Sequence, residues 1–582
     1  MSDFDKYMQL TTRQRILGYD IEIYEEDAFV VFKNLDKSIY AIFHNDFTGL
    51  RELVHTSTIF GYNNYFYDDI IVSAMMDCWT PEQLKRLNDD LIVRREKKYP
   101  SKHIHSLDCF QQIDVSKPGL KKIEANKGVS IEESPIPFDI GRKLTDSEYQ
   151  EALAYCCYDV DQTIDIFFDR FYDYFLIKKM LVEMKPSLPS NAYRWNTTTL
   201  IANILVDKPS VKWSSIRVPE ELLELVPVDV RTMWETKEKG NITIRKYDND
   251  IVYGFGGLHG ANIKRKRFEN VVNLDVASLY PSIMINYDML GAATEMYKEM
   301  RDERIRIKHT DPVRQAALKL VLNSTYGLLK QEFSLLYNPK SSTSVCAIGQ
   351  CLLTDLLDRL SSTCTPVNIN TDGIAFIPHT DDWKRIWTEW EQDHNLTLED
   401  DHFKLFIGRD VNNYIAVEYD NKLPDGTIKK GKIKVKGSDV NLYHVLNPDK
   451  KERPSMWKPH IASINHIALV DYLVSGKDII ETYIENLDKP HLFQYVLHTG
   501  GTYDGTFDTE GNQYNKVNRV FATKKGDFCV YKKKGETLAK FPNAPNLMYL
   551  WNQDTSKLEN FGKIVDLNHY YDILLKKLEK WE

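Results

Sequence analysis

Four acidic side chains in the first third of the sequence have the types needed to hold divalent metal ions: Asp20, Glu22, Asp68 and Asp159. Four carboxylates can hold two Mg²⁺ ions about 4 Å apart around a scissile phosphate, because Mg²⁺ prefers oxygen ligands. Tyr155 lies one helical turn before Asp159 and could orient an attacking water. The set indicates metal-assisted cleavage of a phosphate ester.

The first two acids must be positioned by a strand. Residues 16–23 alternate in polarity, so that Asp20 and Glu22 lie on one strand face, roughly 7 Å apart. Asp68 ends an aromatic stretch at 61–68. Taken alone, the first segment also fits an ordinary half-exposed strand, and the second fits a surface loop.

The fourth acid must be positioned by a helix. A Thr-x-x-Glu sequence at 145–148 predicts a capping box that begins a helix extending through Phe168. Tyr155 and Asp159 are four residues apart and share a face of this helix. Taken alone, such a pair usually packs or is solvated, so the helix decides nothing without the other acids.

A second pair of acids lies further along the chain. Asp275 ends a predicted strand at 271–276, and Asp372 belongs to an Asp-Gly dipeptide inside an alternating segment at 367–374, which predicts a hairpin. In one interpretation Asp372 only forms the turn. In the other, Asp275 and Asp372 meet on adjacent strands and hold two metal ions that bridge a nucleoside triphosphate and a primer 3′-hydroxyl.

A helical pair is predicted between these two acids, with a break at Thr310-Asp311-Pro312, where proline can occupy a first helical position. Arg304 and Lys308 are expected on one face of the first helix, where like charges are unfavourable unless an anion lies opposite. A triphosphate would be such an anion. The second helix carries a stripe of four residues: Lys319, Asn323, Tyr326 and Gly327.

Three motifs of the first half resemble the exonuclease motifs of proofreading family B DNA polymerases, whose exonuclease domain has an RNase H-like fold. They are Asp20-Ile-Glu22, then Gly-Tyr-Asn-x-x-x-Tyr-Asp at 61–68, and Tyr155-x-x-x-Asp159-Val. The resemblance implies a 3′→5′ exonuclease with these acids as metal ligands. Either Asn63 or Asn64 could be the DNA-binding asparagine of the second motif.

Three later motifs resemble the polymerase motifs of the same family: Asp-x-x-Ser-Leu-Tyr-Pro-Ser at 275–282, Lys-x-x-x-Asn-Ser-x-Tyr-Gly at 319–327 and Asn-Thr-Asp-Gly at 370–373. The resemblance implies that Asp275, Asp372 and the Val276 carbonyl bind metal, and that Tyr280 is the steric gate that rejects a ribose 2′-hydroxyl. It further implies contacts to the incoming dNTP, with the triphosphate held by Arg304, Lys308 and Lys319 and the nascent base pair lined by Asn323 and Tyr326.

Two shorter segments resemble DNA-binding elements of the family. Tyr253-x-x-Gly256-Gly257 is similar to its Tyr-Gly-Gly connector, and Lys434-Val435-Lys436-Gly437 is similar to its basic motif near the primer terminus. A glycine-rich turn and a solvated lysine strand also occur for other reasons.

The sequence departs from the family pattern at two points. Asn370 stands where the family usually has aspartate, which makes a third polymerase carboxylate doubtful. The spacing from Asp275 to Lys319 is too short for the large insertion of protein-primed phage replicases. We therefore do not expect terminal-protein priming, although the length is that of a compact phage-type replicase.

Composition excludes several classes of protein. With 582 residues, 42% of them hydrophobic and 27% charged, the chain should fold into three or four soluble units. Eight cysteines are present without a C-x-x-C pair, so the sequence predicts neither a zinc site nor a disulfide framework. No long apolar run predicts membrane insertion, and no signal peptide predicts secretion. The net charge of −9 leaves room for two local basic patches, at 264–267 and at 429–436, the second alternating as on one strand face.

The predicted fold class is therefore α/β and α+β multidomain, an RNase H-like exonuclease domain followed by a right-hand polymerase. The expected divisions are 1–185 for the N-terminal and exonuclease domain, 186–291 and 333–440 for the palm with its connector, 292–332 for the fingers, and 441–582 for the thumb. Lys185-Pro186-Ser187-Leu188-Pro189-Ser190 marks the first boundary, because its prolines cannot continue a helix.

The predicted function is DNA-templated DNA synthesis with proofreading, in DNA replication. The polymerase activity would be that of a nucleotidyltransferase, and the exonuclease activity that of a hydrolase. Two Mg²⁺ ions per active site are the expected cofactors, with Mn²⁺ as a substitute. Primer-template DNA, dNTPs and other replisome proteins are the expected partners of a cytoplasmic monomer, in the host cytoplasm if the gene is a phage gene. The alternatives are a 3′→5′ exonuclease whose degenerate polymerase half is a DNA-binding scaffold, and a non-catalytic nucleic-acid-binding module.

Overall fold

The computed structural model describes residues 3–96, 104–424, 426–526 and 528–582, and its first sheet is built on the strand that carries Asp20 and Glu22. The elements of this N-terminal region are α1 Asp3–Met8, β1 Arg15–Ile23, β2 Ala28–Lys33, β3 Ile39–His44, α2 Leu50–Thr56, β4 Ser57–Gly61, α3 Asp68–Met75, α4 Pro81–Ile92, β5 Ser106–Asp108, α5 Leu120–Lys127, α6 Asp146–Arg170 and α7 Ile177–Glu183.

β1 is the central strand of a five-stranded sheet with the order β3-β2-β1-β4-β5, antiparallel to β2 and parallel to β4. Its alternation is as predicted. Leu17, Tyr19, Ile21 and Ile23 pack into one core with α3 and α4, and the opposite face turns toward α6. α3 and α4 therefore cover one face of the sheet, and α6 covers the other. Asp20 and Glu22 lie on the face of β1 that is turned toward α6.

α6 begins as the sequence predicts, because Thr145 and Glu148 form both hydrogen bonds of a capping box. The helix continues through a π-helical segment, Phe171–Leu176, into α7. Phe175 and Leu176 pack into the N-terminal core, whereas Leu181 packs into the core of the next region. One nearly continuous helix therefore connects two hydrophobic cores.

The middle region is a long antiparallel sheet backed by helices. Its elements are α8 Thr197–Leu205, α9 Glu220–Leu223, α10 Val228–Thr236, β6 Asn241–Lys246, β7 Asn249–Gly254, β8 His259–Asn262, β9 Arg267–Val276, α11 Leu279–Asn286, α12 Thr294–Arg306, α13 Pro312–Leu328, α14 Pro339–Leu360, β10 Cys364–Asn370, β11 Gly373–Pro378, α15 Trp383–His394, β12 Leu398–Asp410, β13 Asn413–Glu418, β14 Asn421–Lys422, β15 Ile428–Lys429 and β16 Ile433–Lys436.

The sheet order is β16-β13-β12-β9-β11-β10-β8-β7-β6, which places the strand of Asp275 beside the predicted hairpin. α14 is buried along most of its length in the same core. The predicted helical pair is confirmed as α12 and α13, and Asp311 caps α13 by accepting a hydrogen bond from the Arg314 backbone N–H.

Two expectations about basic residues are wrong. Lys308 lies past the end of α12, in the turn before α13, so it does not share a helical face with Arg304. The alternating lysines of 429–436 do not form one strand, because β15 and β16 are separate and pair with different partners. In both cases the chain turns where side-chain periodicity alone would continue the element.

The C-terminal region contains α16 Ser463–Ser475, α17 Ile479–Glu485, β17 Tyr495–His498, β18 Gly505–Phe507, β19 Gln513–Tyr514, β20 Val517–Ala522, β21 Tyr531–Lys534, β22 Thr537–Ala539, β23 Met548–Leu550 and α18 Leu567–Leu578. Its core includes Leu405, Ile407, Ile415 and Val417 from β12 and β13. The chain is thus a mixed α/β multidomain protein. None of the helices in the described ranges is both long and apolar enough to cross a membrane.

The buried guanidinium of Arg519 joins the C-terminal region to the N-terminal one. Its Nη2 donates to the backbone carbonyls of Ala125, at 3.1 Å, and Val129, at 2.8 Å. Its Nη1 donates to the Gln553 carbonyl at 2.8 Å and its Nε to Gln494 Oε1 at 2.9 Å. Burial lowers the pKa of Arg519 to about 10, so the group remains charged at neutral pH.

Replacing Arg519 with alanine should lower the free energy of unfolding by about 3 kcal/mol or more, because several buried carbonyls lose their donor at once. Urea unfolding followed by circular dichroism would measure the change. Lys563→Ala is the matched control, since Lys563 is exposed and should change stability by less than about 0.5 kcal/mol. Equal unfolding midpoints for the two variants would contradict a joining role for Arg519.

Candidate functional site

The acids of the first motif set come together between β1, α3 and α6. Burial, together with the charge of Asp159, raises the pKa of Asp20 to about 8. Burial also raises the pKa of Glu22 well above its usual value, with Asp20 and Asp159 adding to the effect. Burial and then Asp20 raise the pKa of Asp68. Each acid therefore lies within electrostatic reach of the others, although they are far apart in the sequence.

This arrangement fits a divalent cation. Carboxylates that are buried beside one another are costly when ionised, and a bound cation would offset that cost. Ligand atoms of Asp20 and Glu22 lie within 4.8 Å of each other and of Cys156 Sγ. Asp68 and Asp159 lie outside this tight group, so the predicted four acids are neighbours rather than one cluster.

Cys156 is a neighbour that the sequence reasoning missed. It comes from α6 one residue after Tyr155 and is fully buried. Burial and then the charge of Asp20 raise the pKa of its thiol, which keeps the sulfur protonated. Since Mg²⁺ prefers oxygen ligands, Cys156 fits a packing role behind the acids better than a ligand role.

Lys121 is a second residue that the sequence reasoning missed. It comes from α5, and its Nζ forms ion pairs with Asp159 and, at 3.3 Å, with Glu124. The ammonium also lies 4.7 Å from the centre of the Tyr155 ring. Burial alone would lower the pKa of Lys121, but Asp159 and Glu124 outweigh it and the pKa is raised. Asp159 is thus already paired with a cation.

The residues around Asp68 separate the two candidate asparagines. Asn64 is buried, and its Nδ2 donates to Asp69 Oδ1 at 3.0 Å. Asp69 also accepts hydrogen bonds from Tyr19, Ser106 and Arg194, so it belongs to the support beneath the site. Asn63 is exposed, with a left-handed backbone at φ 64°. Of the two, only Asn63 presents its side chain to solvent.

Tyr155 lies where the motif predicts it, beside Asp159. Burial and the charge of Asp159 raise the pKa of its hydroxyl. The hydroxyl therefore stays protonated and can donate a hydrogen bond at this site.

The second pair of acids meets across β9 and β11. Asp275 pairs with Gly373 in the sheet register, and the Val276 backbone N–H donates to the Asp372 carbonyl at 2.6 Å. A β-carbon on Gly373 would lie 1.8 Å from Asp275 Oδ1, so only glycine leaves room for the Asp275 side chain. The Asp-Gly hairpin thus brings Asp372 next to Asp275, as the second interpretation of the sequence requires.

Both acids are partly buried among charged neighbours. Burial raises the pKa of Asp275, with a contribution from Asp372. Burial also raises the pKa of Asp372, and Lys436 opposes this rise. The two oxygen-donor groups therefore fit a cation for the same reason as the first site.

The lysines of β16 lie close to these acids. Lys434 Nζ is 3.0 Å from Asp401 Oδ2 and 3.2 Å from Glu418 Oε1, and its charge acts on Asp275. Asp401 is a further acid near the pair that the motifs did not indicate. The Asn370 side chain bonds to the next residue, because its Oδ1 accepts a hydrogen bond from the Thr371 backbone N–H at 3.0 Å.

Two tyrosines lie together beside this site. The ring centres of Tyr280 and Tyr326 are 4.6 Å apart. The Tyr326 hydroxyl and Cys346 Sγ are 2.6 Å apart. Cys346 in turn donates to the Phe255 carbonyl at 3.4 Å. The buried thiol of α14 therefore connects Tyr326, on whose ring Tyr280 packs, to the segment that follows β7.

The predicted phosphate-binding cations Arg304, Lys308 and Lys319 differ in what they contact. Arg304 Nη1 donates to Ser278 Oγ at 3.3 Å, three residues after Asp275. Lys308 Nζ lies 3.8 Å from Glu399, the residue that pairs with Asp275 in the sheet. Lys319 and Asn323 are exposed on α13. Arg304 and Lys308 thus contact residues near Asp275 in the chain or in the sheet, while Lys319 and Asn323 face solvent.

The predicted connector is tightly packed. Tyr253 is 3% exposed, and its hydroxyl lies 3.0 Å from Thr354 Oγ1, so its ring belongs to the core. A β-carbon on Gly257 would lie 2.3 Å from Thr371 Oγ1, which requires glycine there. Gly256 has open space around the corresponding position. DNA binding by these three residues stays a prediction, and for Tyr253 it would involve the backbone.

Most basic side chains of the patch at 264–267 bond to other groups of the protein. Lys264 pairs with Asp248 at 2.8 Å, and Arg267 donates to the Leu473 carbonyl at 2.8 Å. Lys266 donates to the Lys580 carbonyl at 2.7 Å. The contacts of Lys266 and Arg267 join the middle region to the C-terminal region, whereas that of Lys264 lies within the middle region.

No protein-family model and no curated protein sequence matches the chain. Among solved structures, the chain is similar to the family B DNA polymerase from the hyperthermophilic archaeon Pyrobaculum calidifontis, with a TM-score of 0.45 and 14% sequence identity. The similarity covers 97% of this chain and 78% of that polymerase.

Magnesium should stabilise the chain more at pH 8.5 than at pH 5.5. Acids whose folded-state pKa is raised, such as Asp20 at about 8, stabilise the fold below their unfolded pKa, and this stability is lost as the pH rises through the folded pKa. Mg²⁺ would oppose that loss by binding the ionised acids. Thermal unfolding with and without Mg²⁺ at both pH values measures the effect.

An Asp20→Asn, Glu22→Gln variant is the control for that measurement. It keeps the shapes of both side chains, so the metal-free protein should no longer lose as much stability at high pH. Its response to Mg²⁺ should shrink correspondingly. A response to Mg²⁺ that is the same in both proteins and independent of pH would contradict the first metal site.

Proposed function

We propose that this chain is a DNA-templated DNA polymerase with its own 3′→5′ proofreading exonuclease. The observation that carries the proposal is the adjacency of Asp275 and Asp372 across β9 and β11, with a glycine that leaves room for the Asp275 carboxylate. Two neighbouring acids on which Lys434 and Lys436 act fit the binding of a nucleoside triphosphate with its metal ions. The substrates would be primer-template DNA and dNTPs.

In the proposed polymerase site, Asp275, Asp372 and the Val276 carbonyl would hold two Mg²⁺ ions, with Mn²⁺ as a substitute. At both sites the ions, when bound, would neutralise developing charge and lower the pKa of the attacking oxygen. Arg304 would pair with the triphosphate from the side of Ser278, and Lys308 and Lys319 would approach it from the turn and from α13. Asn370 would hold the hairpin through its bond to the Thr371 N–H rather than bind metal.

The remaining contacts, to the nucleotide and to the DNA strands, would come from the tyrosine pair, α13, β16 and the glycine segment after β7. Tyr280 would occupy the space that a ribose 2′-hydroxyl needs, and Cys346 and Tyr326 would hold its ring in place. Tyr326 and Asn323 would line the nascent base pair. Lys434 and Lys436, next to the acids, would contact the primer strand, and Gly256 and Gly257 the template backbone.

In the proposed exonuclease site, Asp20, Glu22 and Asp68 would be the main metal ligands. Asp159 would act with Lys121 and Tyr155, which flank its carboxylate and can orient a water toward the scissile phosphate. We assign strand binding in this motif to Asn63, because Asn64 is engaged by Asp69. The proposed domains are an RNase H-like exonuclease domain at 1–185, a palm at 186–291 and 333–440, fingers at 292–332 and a thumb at 441–582.

The two activities should be separable by substitution. Asp20→Ala with Glu22→Ala should slow primer degradation on the order of 10³-fold, since metal ligands supply several kcal/mol of transition-state stabilisation, and should leave extension intact. Asp372→Asn should do the reverse. A primer-extension gel with and without dNTPs measures both activities.

Asn370→Ala is the control within the polymerase site, and it should cost about tenfold, as expected for an outer-shell partner. Equal and severe losses in Asn370→Ala and Asp372→Asn would make Asn370 a direct ligand. Full extension by Asp372→Asn would refute the polymerase site. Degradation without any extension by the wild-type chain would favour the alternative, an exonuclease with a degenerate polymerase half.

Sugar selection should depend on the ring of Tyr280. Tyr280→Ala should admit ribonucleotides, because it removes the ring that would collide with the 2′-hydroxyl. Tyr280→Phe keeps the ring and should keep the discrimination. The ratio of kcat/KM for dNTP over rNTP incorporation measures it, and an unchanged ratio in the alanine variant would contradict the gate.

A further inference from the structure

An open cavity of about 390 Å³ lies where β16 of the middle sheet meets α16 of the C-terminal region. Its third wall is the short 3-10 helix Tyr443–Leu446 and the residues that follow it. Much of the lining is apolar and consists of the side chains of Ile433, Leu446, Pro448 and Ile467. The volume is in the range of small-ligand sites, and none of these residues belongs to either acidic site.

One carboxylate lines this cavity without a cationic partner. Asp471 lies four residues after Ile467, so both side chains are on the same face of α16. In the described part of the chain Asp471 forms no ion pair, and Lys477, whose charge acts on it, is paired with Glu485. Burial raises the pKa of Asp471, although Lys477 and Tyr443 oppose this rise. A partly buried carboxylate of this kind is stabilised when a cation binds to it.

Two aromatic rings are fixed beside this carboxylate. The Tyr443 hydroxyl donates to Asp471 Oδ1 at 3.3 Å, a long hydrogen bond that uses little of the acceptor capacity of the carboxylate. His444 Nε2 donates to the Ile433 backbone carbonyl at 2.8 Å, and the two ring centres are 4.8 Å apart. These bonds hold the rings in place before any ligand binds, which lowers the cost of ordering the site on binding.

The lining distinguishes between classes of ligand. A carboxylate attracts cations and repels anions, and the face of a tyrosine ring also attracts a cation. A divalent metal ion would find only one carboxylate here and would gain nothing from apolar walls. A neutral apolar molecule would leave Asp471 unpaired. Leu446 is 40% exposed, so apolar surface remains for a ligand to cover. The cavity therefore fits a protonated amine that is attached to an apolar chain.

We propose that this cavity binds an alkylammonium group, with the ammonium paired with Asp471 beside the Tyr443 ring and the alkyl chain against Ile433, Leu446 and Ile467. A lysine side chain of a partner protein and a free polyamine both present this chemistry. The ligand contacts the middle sheet and the C-terminal region together, because β16 and α16 form opposite walls. The inference does not depend on the proposed polymerase or exonuclease, since the cavity contains no residue of either site.

The test measures the binding of pentylamine to the full-length chain near neutral pH, by ligand-detected NMR. A dissociation constant of about 1 mM is expected for a ligand of this size. Pentanol has the same shape without the charge and should bind at least about tenfold more weakly, because it cannot form the ion pair. Ethylamine should also bind more weakly, by about fourfold for each methylene group that the cavity would otherwise bury.

Substitutions separate the charged and apolar contributions. Asp471→Asn should raise the dissociation constant of pentylamine about tenfold or more and remove its advantage over pentanol. Leu446→Ala should weaken pentylamine more than ethylamine, because it removes apolar surface and no charge. Asp572→Asn is the matched control, since Asp572 is an exposed acid of α18, and it should leave the binding of both amines unchanged.

Two further ligands distinguish the sources of the ammonium group. Tighter binding of N-acetyl-lysine methylamide than of cadaverine would support the lysine of a partner protein, because the second charge of cadaverine would lie against apolar walls. The reverse order would support a free polyamine. Equal affinities of the wild-type chain for pentylamine and pentanol would overturn the proposal. An affinity for pentylamine that is unchanged in Asp471→Asn, or no measurable binding of either amine, would overturn it as well.

Discussion

Carboxylates that repel one another are held side by side at two places in this chain, and the surrounding structure depends on that constraint. At the first place, burial and mutual repulsion raise the pKa values of Asp20, Glu22 and Asp68. Such an arrangement weakens the metal-free fold at high pH, so packing on both faces of the sheet must hold it together. The fully buried cores around β1 supply that packing.

At the second place, backbone geometry holds the two carboxylates close together. Asp275 lies near the end of β9, Asp372 lies in the turn between β10 and β11, and Gly373 allows the Asp275 side chain to lie directly against that turn. α14 then holds both the tyrosine pair and the segment after β7, through Cys346 and through Gln350, which donates to the carbonyls of Gly254 and Gly256. A single buried helix therefore fixes the position of the tyrosines relative to the glycine segment.

Contacts between distant parts of the chain join the C-terminal region to the regions that carry the two sites. Arg519 bonds backbone carbonyls nearly four hundred residues earlier in the chain. Those carbonyls directly follow Lys121 and Glu124, which reach the first acidic site. The C-terminal region also packs on β12 and β13 of the middle sheet.

Local patterns in the sequence were sufficient for the elements that carry the acids. The alternation of β1, the capping box of α6, the break before Pro312 and the Asp-Gly hairpin are all confirmed, because each depends on neighbouring residues in one segment. The same patterns mislead where the chain turns, at Lys308 and between β15 and β16. Side-chain periodicity cannot show where a tertiary contact ends an element.

Only the tertiary structure decided which residues surround the acids. Lys121 and Cys156 belong to no motif that indicated metal chemistry, and the choice between Asn63 and Asn64 depends on the buried Asp69. The hydrogen bond from the Lys516 backbone N–H to Glu133 likewise joins segments almost four hundred residues apart, which no local pattern predicts. Residue types and spacings determine which groups can do chemistry, whereas long-range packing determines which of them meet.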